Sequence, residues 1–452
     1  MNVCYVTMVF PAAAETFACL DVRALRDSGV SVSVYAMRPA RIWGLDEPRR
    51  LFASRARTRA AAQLLKERGL GALAVSHSTL TAVLRGLLFA AMRPRTFLDL
   101  IAWLWSTNRR SPNHLLKSLA LVPRSLDILW SIERHQPEVV HLFWGHYPAI
   151  VGYLVRRWLT DVVVSMFLGA YDLRSRYAGS GALAQIADVV WTHANANVRA
   201  LERLGAPPHR IRVVHRGVDL EALSDCQPSR KVARRLVTAS RLTTSKAVDE
   251  VLTTFAMVRE RWPDASMVVL GDGPERSRLV SLANSLGIAQ AVVFRGHAAP
   301  DEVRREMAVA QVFLFMSVVE SLPNAVKEAM ASRCACVVSA TSGIEELVED
   351  GVSGFVVPLG DTVAAACRVD QLLHNPELMT GMGSRARARI AAQFNVKESM
   401  QAYHERWADL RMRRCPFPNF PARPLARQGT SDVGRPLVDP ERESLTTGSD
   451  RC

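Results

Sequence analysis

Near its start the chain changes hydrophobic period twice within about forty residues. NVCYVTMVF is nearly continuous in apolar residues, ETFACLDVRALRDSG carries them on one helical face and closes on glycine, and VSVSVYAM is apolar again. That pattern predicts strand, amphipathic helix, strand. After a longer helical stretch the alternation returns in EVVHLF, a helix near 147–159, DVVVSMFL, ADVVWTH, a helix near 196–204, and IRVVH. Strands that are apolar throughout and separated by helices predict a parallel sheet covered on both faces. The polar, proline-bearing run EALSDCQPSRKVA at 221–233 breaks the rhythm and reads as a domain linker. A second series follows, with strands RLVTAS, ASMVVLGDG, AVVFRGH, QVFLFM and CACVVSA, and helices in VDEVLTTFAMVRERW, ERSRLVSLANSLG and ESLPNAVKEAM. The expected fold class is α/β, with two Rossmann-like doubly wound domains facing each other across a cleft. The first spans 1–222 with a basic helical insertion at about 41–135, and the second spans 234–395. A helix over 396–414 is expected to return to the first domain, and the Pro-, Arg-, Ser- and Gly-rich segment 415–452 reads as a disordered tail.

Composition agrees with two domains, since 452 residues exceed what one core usually serves. Eight cysteines without a CxxC pair or a dense framework fit reduced thiols in a cytosolic protein and suggest no zinc site. MNVCYVTMVF lacks a basic leader region, so no signal peptide is expected, and no uncharged apolar run reaches the ~18 residues of a spanning helix. Charge alters the picture more. Of a net +14, residues 41–135 supply +10, with 16 Lys/Arg against 6 Asp/Glu. Trp43, Trp103, Trp105 and Trp130 stand in the same stretch, beside apolar runs such as LRGLLFAAMRPRTFLDLIAWLW. Cations around Trp and Leu at helical spacing suit an anionic membrane surface. The alternative is a solvated Arg-rich subdomain that packs its tryptophans inward. No recognised nucleic-acid module accompanies the charge, so nucleic acid is not expected as a partner.

The candidate chemistry lies at strand ends of the second series. In VVESLPNAVKEAM, residues 318–330, Glu320 and Glu328 bracket a helix start, with Ser321 read as N-cap and Pro323 as a first-turn residue. Asn324 and Glu328 share one face at i,i+4. At ~1.5 Å per residue the two carboxylates stand roughly 10–12 Å apart, around free N–H groups that attract an anion. This suits a long ligand with phosphate in its middle. SRLTTSK puts Arg241 and Lys246 after RLVTA, two cations able to hold a diphosphate. In LGDGPE, Gly271 and Gly273 allow a tight turn near a ligand. Arg276 takes the third glycine position of the GxGxxG fingerprint, which disfavours a nicotinamide enzyme. After CACVVSA, Ser342 and Gly343 offer backbone N–H groups, and Glu346 opens the next helix.

The run from SRLTTSK through LGDGPE, FRGH, ESLPNAVKEAM and SGIEELVEDGVSGFVVPLGD resembles the nucleotide-sugar-binding half of glycosyltransferase family 4, retaining enzymes of the GT-B fold. In the first half, FPAAAETF, VVHLFWGHYPA, GAYDL and HRGVDL resemble the branch that builds exopolysaccharides, capsules and colanic-acid-like polymers. The resemblance implies a hexosyltransferase of group 1 type. It would take a nucleotide sugar and a glycan or lipid-linked oligosaccharide acceptor at the cytoplasmic face of the membrane, with no cofactor and no metal. By the same resemblance Arg241 and Lys246 offset charge on the departing nucleotide. Glu320 meets the donor sugar's hydroxyls, Glu328 meets the ribose hydroxyls, and the backbone from Ser321 through Leu322 to Asn324 cradles phosphate. Gly271, Gly273, Ser342 and Gly343 also face the donor, while Glu15, His146 and Asp172 are candidates on the acceptor side.

Departures from the family pattern are specific. Ser240, Ala247 and Ser321 stand where glycine is usual, and PAAAETF is not glycine-rich. Leu168 or Gly169, depending on alignment, replaces a histidine that many members carry in the motif matched by FLGAYDL. His141 and His146 are the neighbouring histidines that could stand in for it. These losses motivate a rival reading as a non-catalytic partner or glycan-binding subunit. A same-fold nucleotide-sugar epimerase, which needs no acceptor, is the other rival.

Overall fold

Runs that are nearly continuous in apolar residues become strands buried on both faces, as in VVHLF and ACVVS. The computed structural model describes residues 1–12, 16–40, 55–175, 177–224 and 231–414. Glu15, Trp43, linker residues 225–230 and the tail 415–452 therefore lie outside the described residues. In the first half the order is β1 (Asn2–Thr7), α1 (Thr16–Asp27), β2 (Ser31–Ala36), α2 (Arg55–Glu67), β3 (Ala74–Ser76), α3 (Leu80–Met92), α4 (Pro94–Asn108), α5 (Pro112–His135) and β4 (Val139–Phe143). It continues with α6 (Ala149–Trp158), β5 (Val163–Phe167), α7 (Ala170–Ser175), α8 (Ala178–Ala184), β6 (Val189–Thr192), α9 (Val198–Arg203), β7 (Ile211–Val213) and α10 (Leu220–Ser224). The second half runs β8 (Arg235–Ala239), α11 (Val248–Arg261), β9 (Ser266–Leu270), α12 (Arg276–Ser285), β10 (Val292–Gly296), α13 (Pro300–Val309), β11 (Val312–Phe315) and α14 (Asn324–Ala331). It ends with β12 (Ala335–Ser339), α15 (Ile344–Leu347), β13 (Phe355–Val357), α16 (Thr362–His374), α17 (Pro376–Gln393) and α18 (Val396–Arg413).

Both sheets are parallel and doubly wound. Their strand orders are β3-β2-β1-β4-β5-β6-β7 and β10-β9-β8-β11-β12-β13. The order reverses between β1 and β4 in the first and between β8 and β11 in the second. Beyond the carboxyl ends of such strand pairs, a crevice opens where ligands of these sheets bind. The stretch 41–135 is not wholly helical, because the short run at Ala74–Ser76 adds β3 to the sheet edge beside β2.

Two of the tryptophans expected near lipid pack inward instead. Trp103 stacks on Tyr153 at 4.3 Å, and Trp130 lies against Phe89 at 5.8 Å with the Arg134 guanidinium over its ring. Trp105, by contrast, is exposed. No described helix is long and apolar enough to cross a membrane. Cys4, Cys19, Cys334, Cys336 and Cys367 are free thiols.

Both sheets belong to one unit, Met1–Arg413, and the two chain passages between them are paired. Val218 N–H donates to Phe394 O at 2.9 Å, and Val396 N–H donates to Val218 O at 3.3 Å. After this crossing α18 lies on the first sheet. Trp407 and Trp191 each donate an indole N–H to Ser165 Oγ at 2.9 Å, and Tyr403 stacks on Trp191 at 3.9 Å. His141 Nδ1 shares the same hydroxyl at 2.9 Å. This corrects the idea that His141 could serve the cleft: it is a core residue on β4, held neutral by burial and by the Arg216 charge, which take its pKa down to about 3.

Gly217 permits the close crossing. A Cβ there would lie 2.2 Å from Asn395 C and from Val396 N, atoms of backbone that cannot rotate away. Gly217→Ala is expected to destabilise the protein by ~1–3 kcal/mol, the usual cost of overpacking a tight contact. A lower urea midpoint at unchanged slope checks this, and an unchanged midpoint removes the crossing as a constraint.

Candidate active site

The carboxyl ends of the two sheets meet. After β6, the segment Asn195–Asn197 touches the loop that follows β11 and the helix α15 that follows β12, so the crevices of both sheets open into one cleft. In the second sheet, the β8 and β11 ends enclose a cavity of ≈ 170 Å³ lined by Ala239, Ser240, Arg241, Lys246, Phe315, Glu320, Pro323, Asn324 and Ala325. The structure thus brings Arg241, Lys246, Glu320 and Asn324 to one place, at the strand-order reversal. Lys246 Nζ donates to Glu320 Oε1, and both side chains are largely buried. Ser317 Oγ and Val318 N–H donate to Ser245 O at 3.0 and 3.1 Å, which ties the two loops together beneath that pair. Ser240 Oγ is buried there without a hydrogen-bond partner among the described residues. An unmet hydroxyl beside two cations is what a phosphate oxygen would satisfy.

Two glycines shape this loop from behind. A Cβ at Gly271, whose φ is +122°, would fall 1.8 Å from Ser240 O, and one at Gly273 would fall 2.3 Å from Leu242 O. Their role is to let β9's turn press on the cationic loop, and neither lines the cavity. Ala247 adopts φ +44° in front of α11, a left-handed conformation that costs a Cβ-bearing residue ~1–2 kcal/mol. The glycine usual at that position therefore has a backbone reason.

The helix start differs from the expected cap. The residue preceding α14 is Pro323, with no side-chain cap. Ser321 is buried and donates through Oγ to Asn197 Oδ1 of the first domain at 3.3 Å. Ser321 is therefore a bond between domains, not an N-cap, and Leu322 is a buried member of the core. One turn further on, Glu328 is half-buried; desolvation raises its carboxyl to about 7 despite the nearby Arg304 and Lys327 charges. Lys327 is fully buried, and its Nζ donates to Arg216 O at 2.8 Å and to Asn324 Oδ1 at 3.2 Å. Burial, reinforced by the Arg216 charge, lowers its pKa to about 7 against the pull of Asp21, Glu328 and Glu320.

Glu346 reaches across the cleft. Its carboxylate accepts Asn195 N–H at 2.8 Å, Asn195 Nδ2–H at 2.9 Å and Ala196 N–H at 2.9 Å, with His215 Nε2 at 3.0 Å. Burial favours its neutral form, yet these bonds outweigh it and hold the carboxyl below its ordinary value. Gly343, with φ +83°, sits where a Cβ would meet the Ala196 methyl at 3.3 Å, and Ser342 is exposed beside it. On the first sheet, His146 follows β4 and Asp172 lies in α7 after β5. His146 Nδ1 and Asp172 Oδ1 are 2.8 Å apart, and Gly169 N–H donates to Asp172 Oδ2 at 3.0 Å. Leu168 is wholly buried in the core. The imidazole nearest to that strand end is His193, 3.3 Å from where a Gly169 Cβ would be, with its Nδ1 buried and unpartnered. Desolvation and the Lys327, Arg216 and His215 charges push its pKa down, so it is neutral. Sequence reading passed over His193, the reach of Glu346, and the Lys327–Arg216 contact; WTH at the end of ADVVWTH, the same strand-end position as the other site loops, was the available signal for the first. Among the described residues no group of three or more His, Cys, Asp or Glu is arranged to hold a metal ion.

Residues 225–389, which include Arg241, Lys246, Glu320 and Glu328, match the model of the family described as Glycosyl transferases group 1. Over 315 residues the chain is 26% identical to N-acetyl-alpha-D-glucosaminyl L-malate synthase of Bacillus anthracis, covering 65% of this chain and 79% of that protein. It is 31% identical over 143 residues to the lipopolysaccharide core biosynthesis glycosyltransferase LpsE of Rhizobium meliloti, covering 32% of this chain and 42% of the relative. Against the amylovoran biosynthesis glycosyltransferase AmsK of Erwinia amylovora it is 25% identical over 213 residues, 46% of this chain and 51% of the relative. Among solved structures, HepE of Anabaena in complex with UDP superposes with a TM-score of 0.66 at 17% identity, covering 90% of this chain and 100% of that one. That likeness is one of fold, and the fold is GT-B. The match of residues 225–389 to that family's model and the relatives make the protein a glycosyltransferase.

The buried ammonium has a measurable consequence. A lysine whose folded pKa lies near 7 and whose unfolded pKa lies near 10.5 binds fewer protons when folded across that window. Its contribution to stability therefore rises with pH between the two values, by at most about 1.4 kcal/mol per pH unit. Lys327→Met is expected to remove this rise, read as the difference between the two proteins' stability-versus-pH curves. Parallel curves would place the ammonium in contact with water.

Proposed function

We propose that the protein is a retaining family 4 hexosyltransferase. It moves a sugar from a nucleoside diphosphate donor to a glycan carried on lipid, in the assembly of cell-surface polysaccharide at the cytoplasmic face of the membrane. The observation that carries this reading is the convergence of Arg241, Lys246, Glu320 and Asn324 on one cavity at the strand-order reversal of the group 1 domain. Two cations and the uncapped start of α14 suit a diphosphate, and they stabilise the charge that grows on it as the glycosidic bond to the sugar breaks. In this reading no cofactor takes part and no metal is required, because that positive field lies on the protein. Lys246 and Glu320 satisfy each other. On binding, the diphosphate takes over Lys246, and Glu320 turns to the sugar hydroxyls. Glu328 accepts from the ribose hydroxyls, which its ionised form does best, and Ser342 and Gly343 edge the site from β12.

On the acceptor side, Asp172 fixes the orientation of His146 through Nδ1, which leaves Nε2 for the acceptor hydroxyl. Glu15 remains a candidate there by sequence. The basic stretch 41–135 faces anionic lipid in this reading.

Transfer from UDP-, GDP- and ADP-sugars to lipid-linked acceptors tests the proposal. Glu320→Ala and Glu328→Ala are each expected to cut transfer ~10- to 100-fold, the loss of charge-assisted bonds worth ~1.5–3 kcal/mol, with the melting curve kept. Full activity in both variants would end the site assignment. Donor conversion without acceptor would indicate the epimerase, and nucleotide binding without turnover the non-catalytic partner. Nucleotide affinity is also expected to rise with pH through about 7 as Glu328 ionises, and Glu328→Gln should lose that rise in calorimetric titrations.

A further inference from the structure

Three consecutive helices of the first domain turn apolar faces outward. On α3 the buried positions are Ala82, Gly86 and Phe89. They lie on one side, packed on α5 so closely that a Cβ at Gly86 would fall 1.7 Å from Pro123 O. The opposite side carries Leu80, Leu84, Leu87, Leu88 and Met92, each more than half exposed. On α4, Thr96, Leu100, Leu104 and Asn108 are buried, while Leu98 and Trp105 are 62% and 61% exposed. The first turns of α5 add Leu116 at 69%. A helix on the surface of a soluble domain shows the reverse pattern, polar outward. A run of exposed apolar side chains with a polar rim marks an interaction surface.

Charge decides the partner. From Leu80 to Ala120 the chain has six cations, Arg85, Arg93, Arg95, Arg109, Arg110 and Lys117, of which Arg85 pairs with Asp127 of α5 at 2.8 Å and Arg93 with Glu133 of α5 at 3.7 Å, and one acid, Asp99. That acid is engaged by Tyr153 Oη at 2.7 Å and Arg157 Nε at 3.6 Å. Arg93 and Arg95 flank the α3–α4 junction, and Arg109 and Arg110 flank the α4–α5 junction, so the cations border the apolar faces. An anionic bilayer matches both features: anionic head groups meet the arginines and acyl chains receive the leucines, with Trp105 at the boundary between them.

We infer that the outer faces of α3, α4 and the start of α5 insert shallowly into an anionic bilayer. This rests on the lipid-borne acceptor proposed above and deepens it: the hold is apolar as well as electrostatic, and it is confined to Leu80–Leu119 within the basic stretch. The same region adjoins the acceptor side of the cleft. His114 Nδ1 and Tyr147 Oη are 3.0 Å apart, and the Tyr147 ring lies 5.6 Å from that of His146. A glycan leaving the bilayer beside α5 therefore meets His146 without crossing the domain.

Co-sedimentation of the full-length protein with phosphatidylglycerol–phosphatidylcholine vesicles and with pure phosphatidylcholine tests the inference. The expected result is binding to the anionic vesicles that persists in part at about 1 M salt, where the screening length is ~3 Å. The double variants Leu84→Glu/Leu88→Glu and Leu98→Glu/Trp105→Glu should each lower vesicle affinity at least ~10-fold. Their nucleotide-induced thermal shift should match the unsubstituted protein, which shows that fold and donor site are intact. Binding that salt removes completely and that both variants retain would overturn the apolar insertion while leaving an electrostatic contact. Absence of binding to either vesicle overturns it outright, as does a concentration-dependent dimer that the variants dissociate, since a second copy would then cover the ridge. Vesicle binding by the unsubstituted protein with no nucleotide-induced shift would support the membrane surface and count against the donor-site reading alone.

Discussion

A buried ammonium ties α14 to the other domain. Lys327 lies wholly inside the protein and donates to the Arg216 carbonyl, while its second bond, to Asn324 Oδ1, stays within α14. Arg216 is itself fixed, by Asp21 of α1 at 2.5 Å and by the faces of Phe17, Phe143 and Phe167 at 4.8, 4.7 and 5.3 Å. The chain of contacts runs from α1 through an aromatic cage to the first turn of α14. Buried charges of this kind add little net stability, because desolvation offsets their attraction, but an unmatched partner is costly. An arrangement of the two sheets that separated these partners would leave a charge buried and unmatched. Burial raises the Asp21 carboxyl to about 6 even beside Arg216.

That fixed arrangement explains why both crevices open on the same cleft. Ser321, from the loop after β11, and Glu346, from α15, bond Asn195–Asn197 of the first sheet's domain, and the chain crossings are paired at Val218 and Phe394. Lys246 and Glu320 then face each other at close range on the second sheet's side of that cleft. In the proposed reading a diphosphate replaces Glu320 as the partner of Lys246, while the bond from Ser317 to Ser245 holds the two loops together.

Much of this was legible in the chain. Continuous apolar strands announced parallel sheets, and the rule that ligands meet strand carboxyl ends directed attention to Arg241, Lys246, Glu320 and Asn324. The missed features share one property, which is dependence on residues far away in sequence. Ser321 looks like a cap until Asn197, 124 positions earlier, takes its hydroxyl. Glu346 looks like a first-turn acid until Asn195 and His215 reach it. His141 looks like a strand-end histidine until α18 brings Trp407 to Ser165 beside it. In the basic stretch, period told that helices form but not which face each would bury. Trp103 and Trp130 therefore could not be separated from Trp105 before Tyr153 and Phe89 were seen to cover them.

A nucleoside diphosphate held by protein charge alone is the centre of the functional reading. Thermal unfolding of the purified protein with UDP, GDP and ADP, each in magnesium and in EDTA, tests it most directly. A ligand that binds only the folded state adds about 2.7 kcal/mol at ~100 times its dissociation constant. The predicted result is a rise in midpoint with one of the three nucleotides that is the same in magnesium and in EDTA. No rise with any of them at millimolar concentration, or a rise that EDTA abolishes, would contradict it.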